Sequence, residues 1–204
     1  MKSLIVSFIL FATFFSSTKA QENKPQLLKE PATWQFERFA LPPVFAPSIL
    51  YKGAEELRFA PGMFKKDSPD YFTYVFVAQI DNVIAISPAD IRNYLLSYYK
   101  GLCSATAKDR KLSIDTSQIN AVVIKKKDAP AKEAVYNATV NLFGVFADGA
   151  PIKLNMEINV IINAPAKYTY LLFIASPRDK KEPLWNDLYA IRKKSITTIL
   201  SSSE

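Results

Sequence analysis

The chain has 204 residues, 49% hydrophobic and 22% charged, with 13 Pro, 5 Gly, one Cys, no His and a formal net charge of +7. Apolar content on that scale can bury a sizeable core, which excludes wholesale disorder, and a single cysteine excludes an intramolecular disulfide. The absence of histidine removes Ser-His-Asp and Cys-His catalysis, histidine zinc sites and imidazole pH switching together.

Met1-Lys2-Ser3 is a short cationic start, followed by a mainly apolar stretch, Leu4 to Phe15, and by Ser16-Ser17-Thr18-Lys19-Ala20. The apolar stretch is shorter than the ~20 residues a spanning helix needs. A basic start, an apolar middle and small residues at Thr18 and Ala20 form a secretory signal pattern, with cleavage expected after Ala20. The expectation is therefore a secreted or periplasmic protein with no transmembrane segment after cleavage. Lys2 and Lys19 fall in the signal, so the remainder carries +5. Its basic residues are scattered in short groups such as Lys65-Lys66, Lys125-Lys126-Lys127 and Arg192-Lys193-Lys194, each with acids near it. Neither a concentrated basic stripe nor a nucleic-acid-binding module appears, so nucleic acid is not an expected partner.

Residues 21–31 are polar and aperiodic and are expected to form a mobile leader ahead of a single α+β domain over 32–204. Trp34 to Pro47 is rich in aromatics and prolines; Pro42, Pro43 and Pro47 oppose a central strand or a helix interior, so this stretch is expected as an extended arm packed on the domain. Tyr71 to Ile80 is β-branched and aromatic on both faces, the composition of a central strand covered on two sides. Ser87-Pro88-Ala89-Asp90 starts a helix, with Ser87 as cap, Pro88 at the first helical position and Asp90 at the positive end of the dipole. Ile91, Leu95, Tyr98 and Leu102 follow at helical spacing, and Gly101 reads as its C-terminal stop. Cys103 is expected just past that helix as a buried, structural thiol, since no histidine is present to activate it.

Ile119 to Ile124 reads as a further strand. From Ala134 to Ser176 the period is two: Tyr136, Ala138, Val140 and Leu142 alternate with Asn137, Thr139 and Asn141, and Ile152 to Ile162 alternate with Lys153, Asn155, Glu157 and Asn159. A two-residue Asp148-Gly149 turn would set polar against apolar faces. An odd loop restores the match, placing Phe146 opposite Ile152, Leu142 opposite Met156 and Val140 opposite Ile158, with Gly149 at positive φ. The same counting sets Val160 opposite Tyr170 and Ile158 opposite Leu172. Pro183 opens a last helix carrying Trp185, Leu188, Ile191, Ser195 and Ile199 on one stripe. The fold expected is α+β: a single antiparallel meander sheet, two amphipathic helices mainly on one face, and the aromatic, proline-rich N-terminal arm.

Two groups of residues carry the chemistry that is left. Glu55 and Glu56 are candidate acid and base, and Arg58 can clamp a carboxylate in a bidentate manner. Adjacent carboxylates in a strand point to opposite faces, however, and Glu56 with Arg58 form a plain ion pair on one face while Leu57 and Phe59 pack on the other. The second group is the polar face of the meander, where Asn141, Glu157 and Asn159 lie among apolar neighbours and could take a small polar ligand; the ordinary alternative is a solvated sheet face. Asn137-Ala138-Thr139 fits the glycosylation acceptor pattern but lies mid-strand. Metal-ligand spacings and phosphate-binding loops are absent, so neither a metal nor a cofactor is expected.

The run Glu55-Glu56-Leu57-Arg58-Phe59-Ala60-Pro61-Gly62-Met63-Phe64, with Ser68-Pro69-Asp70-Tyr71-Phe72-Thr73-Tyr74-Val75-Phe76 after it, resembles a family of uncharacterised exported bacterial proteins of Bacteroidetes type. The resemblance implies a periplasmic or secreted domain and supplies no catalytic residues. The last strand together with Leu184-Trp185-Asn186-Asp187-Leu188 is similar to the closing strand and helix of PsbP/Mog1-like α+β domains, which is a hint of fold alone. The reading that follows is a non-enzymatic exported binding or interaction module, its partner an envelope protein or a small polar ligand. The alternative is a carboxylate-based envelope hydrolase.

Overall fold

The computed structural model describes residues 27–127 and 134–201, so the expected signal segment and most of the expected leader lie outside the described residues. Seven strands form one sheet: β1 (Gln35–Leu41), β2 (Gly53–Phe59), β3 (Tyr74–Ile80), β4 (Asn120–Lys125), β5 (Ala134–Phe143), β6 (Pro151–Asn163) and β7 (Tyr168–Ser176). The two helices are α1 (Pro88–Arg110), between β3 and β4, and α2 (Leu184–Ser201), after β7. The spatial order is β1-β2-β3-β7-β6-β5-β4, every neighbouring pair antiparallel. Three strands run as a meander, α1 crosses to the far edge, and four strands meander back until β7 closes against β3. An antiparallel α+β sheet with two helices is thus the architecture. Among the described residues no helix is long and apolar enough to cross a membrane.

The two helices do not share a face, which corrects the expectation of cover mainly on one side. Alternate residues of the central strands enter two separate cores. Phe76, Ala78, Leu171 and Phe173 pack with Ile91, Tyr94, Leu95, Tyr98 and Tyr99 of α1. Val75, Val77, Leu172 and Ile174 pack with Trp185, Leu188, Ile191 and Ile199 of α2, joined by Leu27 and Leu28. The physical reason is that β3 and β7 are apolar on both faces, and a sheet with two greasy sides needs two covers. At the centre, Phe76 and Phe173 stand directly opposite each other and stack with ring centroids 4.0 Å apart. Ser195 is buried with the four apolar residues of the expected α2 stripe.

Helix α1 begins as its sequence requires. Ser87 and Asp90 form a reciprocal capping box, with Pro88 in the first turn. It does not stop at Gly101 but runs on to Arg110 and ends at Lys111 in the left-handed conformation. Gly101 serves a packing role instead: a Cβ there would sit 2.0 Å from the Phe45 carbonyl oxygen, so only glycine lets the 43–48 loop lie on the helix. Cys103 is consequently inside α1, buried, its thiol pushed up to about 11 by burial.

The registers differ from the expected ones in two ways. In β5–β6, Leu142 faces Ile152 and Val140 faces Leu154. The apolar faces agree, but the connection is longer than three residues because Val145 and Phe146 leave the ladder and turn into the α1 core; Gly149 has φ +74°. In β6–β7, Val160 faces Leu171 and Ile158 faces Phe173, one residue from the expected pairing. Strand β7 offers apolar side chains to both faces, so its pattern does not specify parity. The expected arm is in part a strand: residues 35–41 form edge strand β1, and the prolines begin only after it. Of the expected leader, residues 27–31 are described, and Leu27 and Leu28 are buried. At the opposite edge, the Lys126 amide points inward to the Val135 carbonyl, so the alternate carbonyl of Ala121 points outward, where it accepts from Arg92 Nε at 3.1 Å.

Candidate functional site

Because β2 is extended, Glu55 and Glu56 emerge on opposite faces, as the strand geometry dictates. They therefore cannot act together on one substrate. Glu55 faces α1 and is fully buried; the Tyr94 hydroxyl donates to its Oε1, and Oε2 has no hydrogen-bond partner among the described residues. Burial pushes this carboxyl up to about 8, with the Tyr94 hydrogen bond pulling the other way, so near neutral pH it is held in the protonated form. Its surroundings are aromatic: Tyr94 stacks on Tyr98 and Phe173, and on the half-buried Tyr51.

Glu56 and Arg58 share the other face, where the Glu56 charge opposes the lowering that burial imposes on Arg58, and both reach further to groups beyond each other. Glu56 Oε1 accepts from Arg38 Nη1 at 2.6 Å, across the β1–β2 pairing, and its Oε2 accepts from the backbone amides of both Leu27 and Leu28 at 2.9 Å. Arg58 donates to three backbone carbonyls, Leu28 (2.9 Å), Trp34 (2.8 Å) and Lys29 (3.2 Å), and its guanidinium lies over the Phe36 ring. Leu57 and Phe59 do pack on the opposite face. The acidic and basic residues that looked like a substrate clamp are thus gripping residues 27–34 of the same chain.

Glu157 and Asn159 are brought together, two apart on the α2 face of β6, both buried. Asn141 is not with them. It faces Lys153 four residues back along β6, is exposed, and donates to Asn120 Oδ1 at 2.9 Å on the rim of a separate open cleft of about 350 Å³. Around Glu157 the structure gathers cations from three elements. Lys126, just after β4, donates to its Oε2 at 3.2 Å, and Arg192 of α2 forms an ion pair with its Oε1. Lys180, in the β7–α2 connection, donates to Asn137 Oδ1 at 2.6 Å and to the Met156 carbonyl at 2.9 Å, over the Trp185 ring. Asn137 is the residue directly opposite Glu157. Burial pushes Lys180 down to about 8, and the charge of Lys126 adds to the shift. The side-chain oxygen of Asn159 is buried without a hydrogen-bond partner among the described residues.

Sequence reasoning missed Arg38, Lys126, Lys180, Arg192 and the backbone of residues 27–34. The Lys125–Lys127 run and the Arg192–Lys194 run were visible as charge, but their convergence depends on α2 lying across this face. Among the described residues, no group of three or more His, Cys, Asp or Glu is placed to hold a metal ion. A further cleft of about 380 Å³ lies between the Phe45–Ser48 loop and α1 at Asn93, Leu96, Lys100 and Gly101, and none of the candidate site residues lines it. Comparison of the chain with protein-family models, with curated proteins and with solved structures found no match.

Proposed function

We propose that the protein is an exported, non-enzymatic binding module that takes a small polar ligand on the α2 face of the sheet, at Glu157 and Asn159. The observation that carries this reading is the buried amide oxygen of Asn159, without a hydrogen-bond partner among the described residues, beside a carboxylate on which cations from separate elements converge. Leaving such an oxygen unpaired costs about 1–3 kcal/mol. A ligand donating a hydroxyl or amide proton recovers that cost, and Lys126, Lys180 and Arg192 favour a ligand that also bears an acidic group. Export is supported by the basic, apolar and small-residue order of residues 1–20.

A thermal-shift screen of the purified protein against metabolites, glycans and envelope fractions tests the reading, followed by Asn159→Leu. The variant is expected to be more stable by about 1 kcal/mol and to lose the ligand-induced shift. Binding of an acidic ligand should weaken above pH 8, where Lys180 gives up its proton. An Asn159→Leu protein that still responds fully to the ligand removes the site. Absence of any binder, with a hydrolytic turnover that Glu55→Gln or Glu56→Gln abolishes, replaces the reading with the envelope hydrolase.

A further inference from the structure

We propose that the sheet face around Glu56 and Arg58 is a peptide-binding groove, filled here in cis by residues 27–34 and open to the same segment from a second copy of the chain. This inference is independent of the Asn159 site. It rests on how the segment is held. Residues 27–34 belong to no strand of the sheet. They are gripped by side chains of β2: two successive backbone amides on Glu56, and three backbone carbonyls on Arg58. All five of these bonds read main-chain atoms, four of them on Leu27–Lys29 ahead of the turn at Pro31–Trp34, so they make no demand on side-chain identity and selectivity rests on side-chain packing. There the requirement is a pair of adjacent apolar residues, met by Leu27 and Leu28 buried against Val75, Val77, Leu172, Ile174 and α2. Lys29, Glu30, Ala32 and Thr33 are exposed and contribute no selectivity of this kind.

The groove needs an occupant. Glu56 is 1% exposed and Arg58 5% exposed, and stripping peptide partners from buried charged groups is costly. A second copy supplies the same Leu27 and Leu28 amides, the same Leu28 and Lys29 carbonyls and the same leucines, so these four hydrogen bonds form in trans as in cis, while the Trp34 carbonyl, next to β1, stays with its own chain. Only the path through the turn at Pro31–Trp34 changes, where the Trp34 amide donates to the Pro31 carbonyl at 3.1 Å. Exchange of an identical element is a low-cost route to a dimer. The tether gives the resident segment an effective concentration in the millimolar range, so the filled, monomeric form dominates at ordinary protein concentrations.

The test uses a fluorescein-labelled synthetic peptide spanning Leu27–Trp34 and the full chain carrying Leu27→Asp and Leu28→Asp, which removes the resident leucines and leaves the groove intact. The peptide is expected to bind this variant saturably, at least tenfold more tightly than the unmodified chain. A peptide with both leucines replaced by aspartate should fail to bind, and adding Arg58→Met to the variant should abolish binding. A folded variant that binds no peptide overturns the proposal. Should the variant not fold, the unmodified chain decides: after incubation at high concentration in mild urea and return to buffer, light scattering should show a dimer that excess peptide suppresses. A chain that stays monomeric and takes up no peptide under those conditions overturns it.

Discussion

Glu55 and Glu56 are neighbours in the chain and are buried to nearly the same degree, yet the two sides of the sheet solve the problem of a buried carboxylate in opposite ways. On the α1 side the surroundings are rings and one hydroxyl, and the group is kept neutral by holding its proton. On the α2 side the surroundings are a guanidinium and backbone amides, and the carboxylate is met by donors. The lesson is that the same residue type at adjacent positions is tuned by what the opposite cover brings. A helix brings only side chains, since its main chain is already bonded to itself; an irregular segment such as 27–34 brings free amides and carbonyls that need partners.

This contrast can be broken by substitution. The largest effect is expected from Glu56→Leu, which strands Arg38 and the amides of Leu27 and Leu28. Loss of one partner of a buried pair predicts destabilisation of about 3–5 kcal/mol, measured by urea unfolding, with fast hydrogen exchange at Leu27 and Leu28. A loss well below that would mean the 27–34 segment holds without its clamp. Glu55→Gln should behave differently, through pH. With a folded value of about 8 against an ordinary 4.5, the native state keeps a proton that the unfolded state has released. The stabilisation from that proton is complete below pH 4.5 and is lost as pH rises to 8, at about 1.4 kcal/mol per pH unit. The Gln variant lacks that slope. Its stability relative to the parent should therefore climb from pH 5 to 8 and level off above, and a pH-independent difference would show that Glu55 is not held neutral. The smallest effect concerns the seat of α1. Gly101→Ala would ordinarily stabilise a helix interior by ~1 kcal/mol. Against the Phe45 carbonyl it should instead cost about 1–3 kcal/mol through overpacking, read as a fall in Tm.

Much of the fold was legible. The capping box at Ser87, the α2 stripe and the strands of the 134–176 stretch follow from periodicity and cap chemistry that act locally. The two-sided cover was also written in β3, whose residues are apolar on both faces, but nothing in the helices says which face each takes. Register failed where the pattern carries no parity, as in β7, and where apolar residues such as Val145 and Phe146 serve the core from a loop. The candidate site was legible only in pieces. Glu157 and Asn159 share a face because they are two apart on one strand. Asn141 was tied to them by an assumed register four residues too far along β6, and Lys126, Lys180 and Arg192 arrive from elements remote in sequence.

The reach of Arg92 to the outward carbonyl of Ala121 has a consequence for life in a crowded compartment. An outermost strand with bare amides and carbonyls is a template for the next chain, and Val122 and Ile124, more than half exposed on that rim, would reward the addition. By occupying one rung, with three lysines crowding the end of the strand, the guanidinium acts as a stopper against growth into fibres.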